Sequence, residues 1–242
     1  MRYQELLNKI KEHHYHLIAI DGRCGSGKST LAKRLANDLK CNLFHMDDFY
    51  LPKVKKTRER LSEAGGNVDY ERFMEDVLAR IDQDFSYQVF DCKSQQLGKW
   101  MKVKRNDINI IEGSYSLHPS LISSYDFKIF VECAYDTRLK RIKERNKDNY
   151  EDFIKLWIPL EDAYFDGLGI KKKCDISYQG DYAISIDELK DEKLIDIRNS
   201  DSFSYGFIPG AINMPDILTN VERLDQKECY VIYDDHDQKA NE

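Results

Sequence analysis

The sequence predicts an α/β protein with a mostly parallel sheet that is covered by helices on both faces. Short apolar runs at 16–20, 42–46, 108–111 and 127–131 have the length and composition of buried strands, and helical patterns lie between them. Strands that alternate with helices form parallel sheets, because each helix carries the chain back before the next strand begins. A glycine-rich loop that joins the first strand to a helix is the third observation behind this fold class.

The helices are predicted from the spacing of their apolar residues. A first helix over 3–13 precedes the first strand, and helical spacing then returns at 31–36, 70–81 and 137–145. The helices over 31–36 and 70–81 each lie between two predicted strands, as a crossover helix in a parallel sheet does, and the helix over 137–145 follows the strand 127–131.

Two segments depart from this alternation. Residues 87–104 alternate apolar and polar side chains around Gly98, which predicts a β-hairpin that stands off the sheet. After residues 175–178 the pattern of strands and helices restarts, so we place a boundary near 179–183. We therefore expect one domain over 1–180 and a smaller α/β segment over 185–242.

Composition and charge exclude several classes of protein. The chain has 242 residues, of which 41% are hydrophobic and 12% aromatic, which excludes a disordered chain. Its net charge of −6 disfavours nucleic acid as a partner, and we interpret the basic runs 53–60 and 171–173 as solvated surface. The six cysteines form no CxxC pair, which disfavours a zinc knuckle or a redox dithiol. No apolar run suits a membrane helix or a signal peptide, so we expect a cytoplasmic protein with no membrane partner.

The strongest functional signal is the segment 22–29, which matches the pattern G-x-x-x-x-G-K-[ST] between a strand and a helix. Backbone N–H groups of such a P-loop point at phosphate oxygens, and the helix N-terminus adds positive potential. We expect ATP and Mg²⁺ as cofactors, with Lys28 at the β- and γ-phosphates and the Ser29 hydroxyl on Mg²⁺. The residues expected to bind the nucleotide are Gly22, Cys24, Gly25, Ser26, Gly27, Lys28, Ser29 and Thr30.

The P-loop refines the fold class to the three-layer sandwich of P-loop NTPases. Cys24 lies inside the loop, where a helix N-terminus lowers the pKa of a thiol and so favours redox sensitivity. We favour the simpler interpretation, a tolerated small residue.

Acidic residues follow two of the predicted strands. Asp47 and Asp48 come at the carboxyl end of the second strand, which we place beside the P-loop, where open α/β sheets bind ligands. Asp47 is suited to accept a proton from an attacking hydroxyl, whereas Asp48 suits a cap of the next turn. The strand 109–111 ends in Glu112, which predicts a metal-binding acid next to the P-loop.

Three arginines share one face of the predicted helix 137–145. Arg138, Arg141 and Arg145 follow one another at helical spacing, so their guanidinium groups could grip a transferred phosphate together. A solvated basic face is the alternative interpretation.

Seven sequence blocks within residues 15–180 resemble the uridine kinase family, in its bacterial uridine-kinase-like branch. They are DGRCGSGKST, HMDDFY, NVDYERF, FDCK, IIEGSYS, DTRLKRIKERN and WIPLEDAYF. The family consists of P-loop kinases that transfer the γ-phosphate of ATP to the 5′-hydroxyl of uridine or cytidine with Mg²⁺. The resemblance implies a phosphotransferase whose partner is a small-molecule alcohol. Both a monomer and a homo-oligomer fit this expectation.

The resemblance also implies roles for individual residues. The catalytic set comprises Asp47 as the catalytic aspartate, Lys28, and the lid arginines Arg141 and Arg145. Ser29 and Glu112 would hold the metal ion. Asp69 corresponds to the acid that grips ribose hydroxyls. The substrate-binding set is Asp69, Tyr50, Phe90 and Gln95.

The chain departs from the family at the hairpin and the lid. Cys92 and Gln95 stand where nucleoside-binding members have an aromatic residue and a histidine, and 144–147 does not match the lid pattern Glu-Arg-Gly-Arg. Related P-loop kinases act on pantothenate, glycerate or ribulose phosphate, so another small alcohol is an alternative acceptor. A regulatory module that binds ATP without catalysis is a further alternative.

The C-terminal segment resembles the first half of a rhodanese domain. The resemblance lies in 194–198 and 205–215, the latter reading YGFIPGAINMP. Asp234–Asp237 stand where a rhodanese has its sulfur-carrying cysteine, and we interpret Cys229 as a strand residue. The segment is therefore expected to lack sulfurtransferase activity. A sulfur-handling or scaffold protein remains the third alternative for the whole chain.

Overall fold

The structure is a computed structural model that describes residues 3–180, 193–205, 208–226, 228 and 230–233. The chain divides into two compact units, residues 1–181 and residues 182–242. Within the described residues, no helix combines the length and the apolar composition that a membrane span requires.

The first unit is built on a parallel sheet of five strands in the order β2-β5-β1-β6-β7. An antiparallel hairpin, β3 and β4, stands apart from it. The strands are β1 (Leu17–Asp21), β2 (Asn42–His45), β3 (Phe85–Asp91), β4 (Gln96–Val103), β5 (Asn109–Glu112), β6 (Phe127–Glu132) and β7 (Ile176–Gln179). The helices are α1 (Tyr3–His13), α2 (Lys28–Leu39), α3 (Arg58–Ser62), α4 (Tyr70–Asp76), α5 (Tyr135–Arg145), α6 (Tyr150–Asp152) and α7 (Ile158–Phe165).

Helices cover both faces of this sheet. On one face, Leu6 of α1 and Leu35 of α2 pack against strand residues such as Ile18. On the other face, Phe73 of α4 and Tyr164 of α7 join a second apolar cluster. All these side chains are buried. The predicted three-layer α/β fold with a mostly parallel sheet is therefore confirmed.

Strand order differs from the expectation in one respect that matters for the site. We expected β2 to lie beside the P-loop strand, and this is wrong, because β5 lies between β2 and β1. Sequence periodicity predicts which residues form strands, but the order of strands depends on how the crossovers pack. Glu112 on β5 consequently lies on a strand nearer the P-loop strand than Asp47 does.

The predicted helix over 70–81 is shorter in the structure. Helix α4 ends at Asp76, and a 3₁₀ turn, Leu78–Arg80, follows it. Val77 lies between them with φ of −115° and ψ of −64°, outside regular helix geometry. The apolar spacing continues through both pieces, so periodicity alone could not locate the break.

The hairpin predicted over 87–104 is present as β3 and β4. Gly98 lies within β4 rather than at the turn, and Gln95 occupies the turn with a left-handed φ of +57°. Close to this turn, Phe90 at the end of β3 pairs with Leu97 at the start of β4. The hairpin therefore presents Phe90 and Gln95 at the same end.

The second unit contains a parallel sheet in the order β10-β8-β9, formed by β8 (Lys193–Asp196), β9 (Ile212–Asn213) and β10 (Tyr230–Tyr233). Helix α8 (Ser200–Tyr205) follows β8. Ile195, Ile197 and Ile217 form its buried apolar cluster. Cys229 and Asp234–Asp237, which bear on the expected absence of sulfur transfer, lie outside the described residues.

Candidate active site

The P-loop forms a tight cradle at the start of α2. Gly25 has φ of +75°, and a Cβ there would lie 2.8 Å from the carbonyl oxygen of Arg138, so only glycine fits without displacement. Gly27 caps α2 with φ of +91° and offers no side-chain cap to the first N–H groups of the helix. Within the described residues, the buried hydroxyl oxygen of Ser26 has no hydrogen-bond partner. Unpaired donors around a loop that excludes side chains fit an anion such as a nucleotide phosphate.

Ser29 and Glu112 meet beside this cradle. The Ser29 hydroxyl donates to Glu112 Oε2 at 3.0 Å, and Nδ1 of His45 donates to Glu112 Oε1 at 2.5 Å. Burial raises the pKa of Glu112, but the hydrogen bond from His45 and the charge of Lys28 outweigh burial, and the net pKa is lowered. Glu112 is therefore held as a carboxylate.

These oxygen atoms fit the magnesium ion that a P-loop implies. Mg²⁺ prefers hard oxygen ligands and usually takes only one or two from the protein, the rest coming from water and phosphate. Ser29 and Glu112 would supply a hydroxyl and a carboxylate. Among the described residues, no group of three or more His, Cys, Asp or Glu side chains is arranged to hold a metal ion.

Sequence reasoning missed His45. The parallel register pairs His45 with Glu112, so the last residue of β2 lies beside the acid at the end of β5. The hydrogen bond to Glu112 raises the pKa of His45, which favours the imidazolium form beside that carboxylate. The sequence signal was its place in HMDDFY, but only the register shows its partner.

Three residues predicted for the acceptor side come together around Tyr50. The Tyr50 hydroxyl is hydrogen-bonded to Asp47, which is itself exposed in the 3₁₀ turn Met46–Phe49 after β2. Burial and the charge of Asp47 raise the pKa of Tyr50 well above its usual value, so Tyr50 stays neutral. Its ring centroid lies 6.4 Å from that of Phe90 in an edge-on arrangement. The exposed carboxylate of Asp47 thus lies next to Tyr50, whose ring is flanked by that of Phe90.

Asp48 does not cap a turn, contrary to expectation. Its Oδ2 accepts a hydrogen bond from the Tyr87 hydroxyl at 2.9 Å, and its carbonyl oxygen accepts from Arg72. The hairpin supplies Tyr87, so the partner of Asp48 comes from a distant part of the chain. Asp48 therefore anchors the Asp47 turn to the hairpin.

Asp69 lies close to the Asp47 turn, because its N–H donates to the carbonyl oxygen of Phe49 at 2.7 Å. It is the N-cap of α4, and only 1% of its surface is exposed. Its carboxylate oxygens accept from Nζ of Lys55 at 3.1 and 2.9 Å. Gln95 in the hairpin turn likewise accepts from Nζ of Lys56 at 2.8 Å. Lys55 and Lys56 lie in the run 53–60 that we interpreted as solvated surface. Lys55 is indeed exposed, but both ammonium groups also make specific contacts that the interpretation did not include.

The arginines of α5 separate into two groups. Arg138 is buried and its Nε donates to the carbonyl oxygen of Cys24, while Nη1 of Arg141 donates to that of Gly25 at 3.3 Å. A fully solvated face is therefore wrong for these two residues. Arg145 lies exposed in the last turn of α5.

Helix α7 also holds the P-loop. The N–H of Cys24 donates to the buried carboxylate of Glu161 at 2.8 Å, and Arg23 pairs with Asp162 and Asp166. Burial and the nearby Glu161 raise the pKa of the Cys24 thiol to about 12, which argues against the redox-sensitive alternative. Glu161 lies in the block WIPLEDAYF, but its role could not be predicted because it depends on how α7 folds back over the loop.

Comparisons with known proteins agree with this geometry. The family model described as AAA domain matches residues 18–157, and the model described as Rhodanese-like domain matches residues 183–242. A solved structure named as a possible uridine kinase from Bacillus stearothermophilus is 19% identical with a TM-score of 0.57, covering 73% of this chain and 96% of that chain. A "putative fructose transport system kinase" from Silicibacter sp. TM1040 is 23% identical with a TM-score of 0.51, covering 72% and 90% respectively.

At these identities the structural similarity establishes the fold, and the resemblance to uridine kinases is confirmed at that level. The P-loop cradle, the parallel sheet and the match over more than half of the residues lead to one assignment. The chain belongs to the AAA domain family and carries a C-terminal rhodanese-like domain.

Proposed function

We propose that residues 1–180 form an ATP-dependent phosphotransferase that moves the γ-phosphate of ATP to a hydroxyl group of a small molecule. The observation that carries this proposal is the chain of contacts from Ser29 through Glu112 to His45. It ties the end of β2, where the Asp47 turn begins, to the acid beside the P-loop. This link supports our assignment of the exposed carboxylate of Asp47 and the phosphate cradle to one site.

Each group has a distinct task in this reaction. The P-loop N–H groups and Lys28 hold the phosphates, and Arg141 stands beside the loop to neutralise charge that develops during transfer. Mg²⁺, when bound by Ser29 and Glu112, would supply electrostatic stabilisation of the phosphate oxygens. Asp47 would accept the proton of the acceptor hydroxyl as the new P–O bond forms and the bond to the leaving ADP oxygen breaks. Arg145 is assigned to the same phosphate group through the family resemblance alone.

The acceptor is a separate question from the transfer itself. The resemblance makes uridine and cytidine the first candidates, with Asp69, Tyr50, Phe90 and Gln95 around them. Cys92 and Gln95 replace the family's base-binding pattern in the hairpin, which keeps pantothenate, glycerate and ribulose phosphate as further candidates.

The test is ADP formation by the purified full chain with Mg-ATP and each candidate acceptor. We expect ADP formation that depends on an acceptor. Asp47→Asn should bind ATP with unchanged affinity and lose most of this turnover, because the amide cannot take the proton. Ser62→Ala, a change outside the site, serves as the control. ATP binding without acceptor-dependent ADP would instead favour the regulatory module that binds ATP without catalysis.

A further inference from the structure

The buried carboxylate expected to hold the acceptor already has a cationic partner. Asp69 is 1% exposed, and both of its oxygens lie within 3.1 Å of Nζ of Lys55. Its Oδ1 also accepts the N–H of Arg72, as an N-cap does. The guanidinium Nε of Arg72 lies 4.0 Å from the other oxygen. The hydrogen-bonding capacity of Asp69 is thus largely used within the protein.

A neutral diol would have to displace Lys55 to reach this carboxylate. The exchange replaces an ion pair by hydrogen bonds from uncharged hydroxyls, so the attraction between two opposite charges is lost. It also separates a cation from a buried carboxylate, and removal of one partner from such a pair is costly. The recognition of uncharged sugar hydroxyls by Asp69 is therefore unfavourable in this chain.

Lys55 itself is well placed to meet a ligand. Its side chain is 53% exposed, although its ammonium group contacts a carboxylate that is almost fully buried. An ammonium group has three N–H donors, so contact with Asp69 leaves capacity for a further acceptor. Asp69 already fixes the position of this ammonium group. The entropic cost of ordering the Lys55 side chain when an anionic ligand binds is therefore lower.

The fixed cation lies in the same region as Asp47. The N–H of Asp69 donates to Phe49, and Tyr50 pairs with Val68 in an antiparallel bridge, so the two segments run side by side. Lys56, next to Lys55, reaches Gln95 at the hairpin turn. In contrast, the side chain of Lys53 makes no hydrogen bond or ion pair with another described residue.

We propose that the acceptor is an acidic alcohol whose carboxylate or phosphate group pairs with Lys55 while its hydroxyl faces Asp47. This inference rests on the proposed phosphotransferase function and narrows its acceptor class. The pairing supports it, because an anion that binds the free N–H donors of Lys55 leaves the buried pair with Asp69 intact, whereas a neutral diol on Asp69 would break that pair.

The test compares matched acceptors in the full chain with Mg-ATP. The pairs are glycerate with glycerol, pantothenate with panthenol, and ribulose 5-phosphate with ribulose, alongside uridine and cytidine. We expect kcat/KM to be about 10- to 100-fold higher for an anionic member than for its neutral partner, as for a hydrogen bond to a charged group. Glycerate and pantothenate carry a carboxylate and ribulose 5-phosphate carries a phosphate, so their kcat/KM values show which kind of anion is preferred.

Substitutions of Lys55 test whether this residue causes the preference for anionic acceptors. Lys55→Gln should raise KM for the preferred anionic acceptor by about tenfold or more and leave KM for ATP unchanged. Lys55→Arg should retain the preference because it keeps the charge. Lys53→Gln is the matched control in the same segment and should behave as the parent chain. The matched-pair comparison in the parent chain needs no variant, so it decides the matter even if Lys55→Gln fails to fold.

The outcomes are distinct. Turnover that favours uridine, cytidine or the neutral partners would overturn the acidic-acceptor inference and leave the phosphotransferase proposal standing. A loss of kcat/KM in Lys55→Gln that is equal for anionic and neutral acceptors would also overturn it. ATP binding with no ADP from any acceptor would overturn the phosphotransferase proposal, and the inference with it.

Discussion

The imidazole of His45 lies 2.5 Å from the carboxylate of Glu112, and the register of two parallel strands creates this contact. Glu112 in turn accepts a hydrogen bond from the hydroxyl of Ser29 in the first turn of α2. Residues from three separate segments thus form one polar chain at the carboxyl edge of the sheet, which is where ligands bind in open α/β folds.

Removal of the imidazole should weaken metal binding at Glu112. In His45→Gln the pKa of Glu112 should rise, because the largest favourable contact of this buried carboxylate is weakened. Groups that support a metal ligand typically change affinity by about 10- to 100-fold. We therefore expect the Mg²⁺ concentration for half-maximal ADP formation to rise by about tenfold. His14→Gln, a change of an exposed histidine, is the control. An unaltered Mg²⁺ dependence in His45→Gln would contradict this role.

Gly25→Ala should damage the nucleotide cradle. The new Cβ would lie 2.8 Å from the carbonyl oxygen of Arg138 at a left-handed φ, which costs about 1–2 kcal/mol before any clash. We expect ATP affinity, measured by calorimetric titration, to fall by about tenfold or more. Gly98→Ala is the matched control, because its Cβ would meet its neighbours at an ordinary 3.4 Å. Equal ATP affinities for the two variants would be inconsistent with the proposed cradle.

His118 should make the first unit less stable in acid. Burial lowers the pKa of this imidazole to about 4, and its ring stacks on Tyr70 at 4.0 Å. The unfolded chain binds a proton near pH 6.5, whereas the folded chain does not until about pH 4. Stability should therefore fall as the pH drops from 6.5 to 4, by up to about 3 kcal/mol from this group.

The measurement is urea unfolding at pH 7 and pH 5. Tryptophan fluorescence reports the first unit, because both tryptophans of the chain, Trp100 and Trp157, lie within it. His118→Phe should lose less stability between the two pH values than the parent chain, whereas His13→Gln should lose the same amount. The same pH dependence in His118→Phe as in the parent chain would show that His118 does not titrate as described.

The C-terminal unit should not transfer sulfur. Asp234–Asp237 stand where the rhodanese resemblance requires a nucleophilic cysteine, and carboxylates repel an anionic persulfide. We expect no thiosulfate:cyanide sulfurtransferase turnover from the full chain. Turnover that disappears in Cys229→Ser, with Cys41→Ser as the control, would disprove this prediction.

Some of the candidate site follows from sequence alone because its determinants are local. The pattern from Gly22 to Ser29 dictates a phosphate loop, since backbone conformation and the start of a helix depend on adjacent residues. Strand ends marked Asp47 and Glu112 as chemical groups at one edge of the sheet for the same reason. The blocks of family resemblance added Tyr50, Phe90 and Asp69, and the structure brings these residues close to the Asp47 turn.

Sequence by itself determined the α/β class, the hairpin and the phosphate loop, because each depends on the periodicity or backbone conformation of neighbouring residues. Tertiary structure alone decided that β5 separates β2 from the P-loop strand, that His45 is hydrogen-bonded to Glu112, and that Lys55 forms an ion pair with Asp69. These contacts join residues distant in the chain or on different local elements, and their formation depends on strand register and packing. Periodicity does not contain that information.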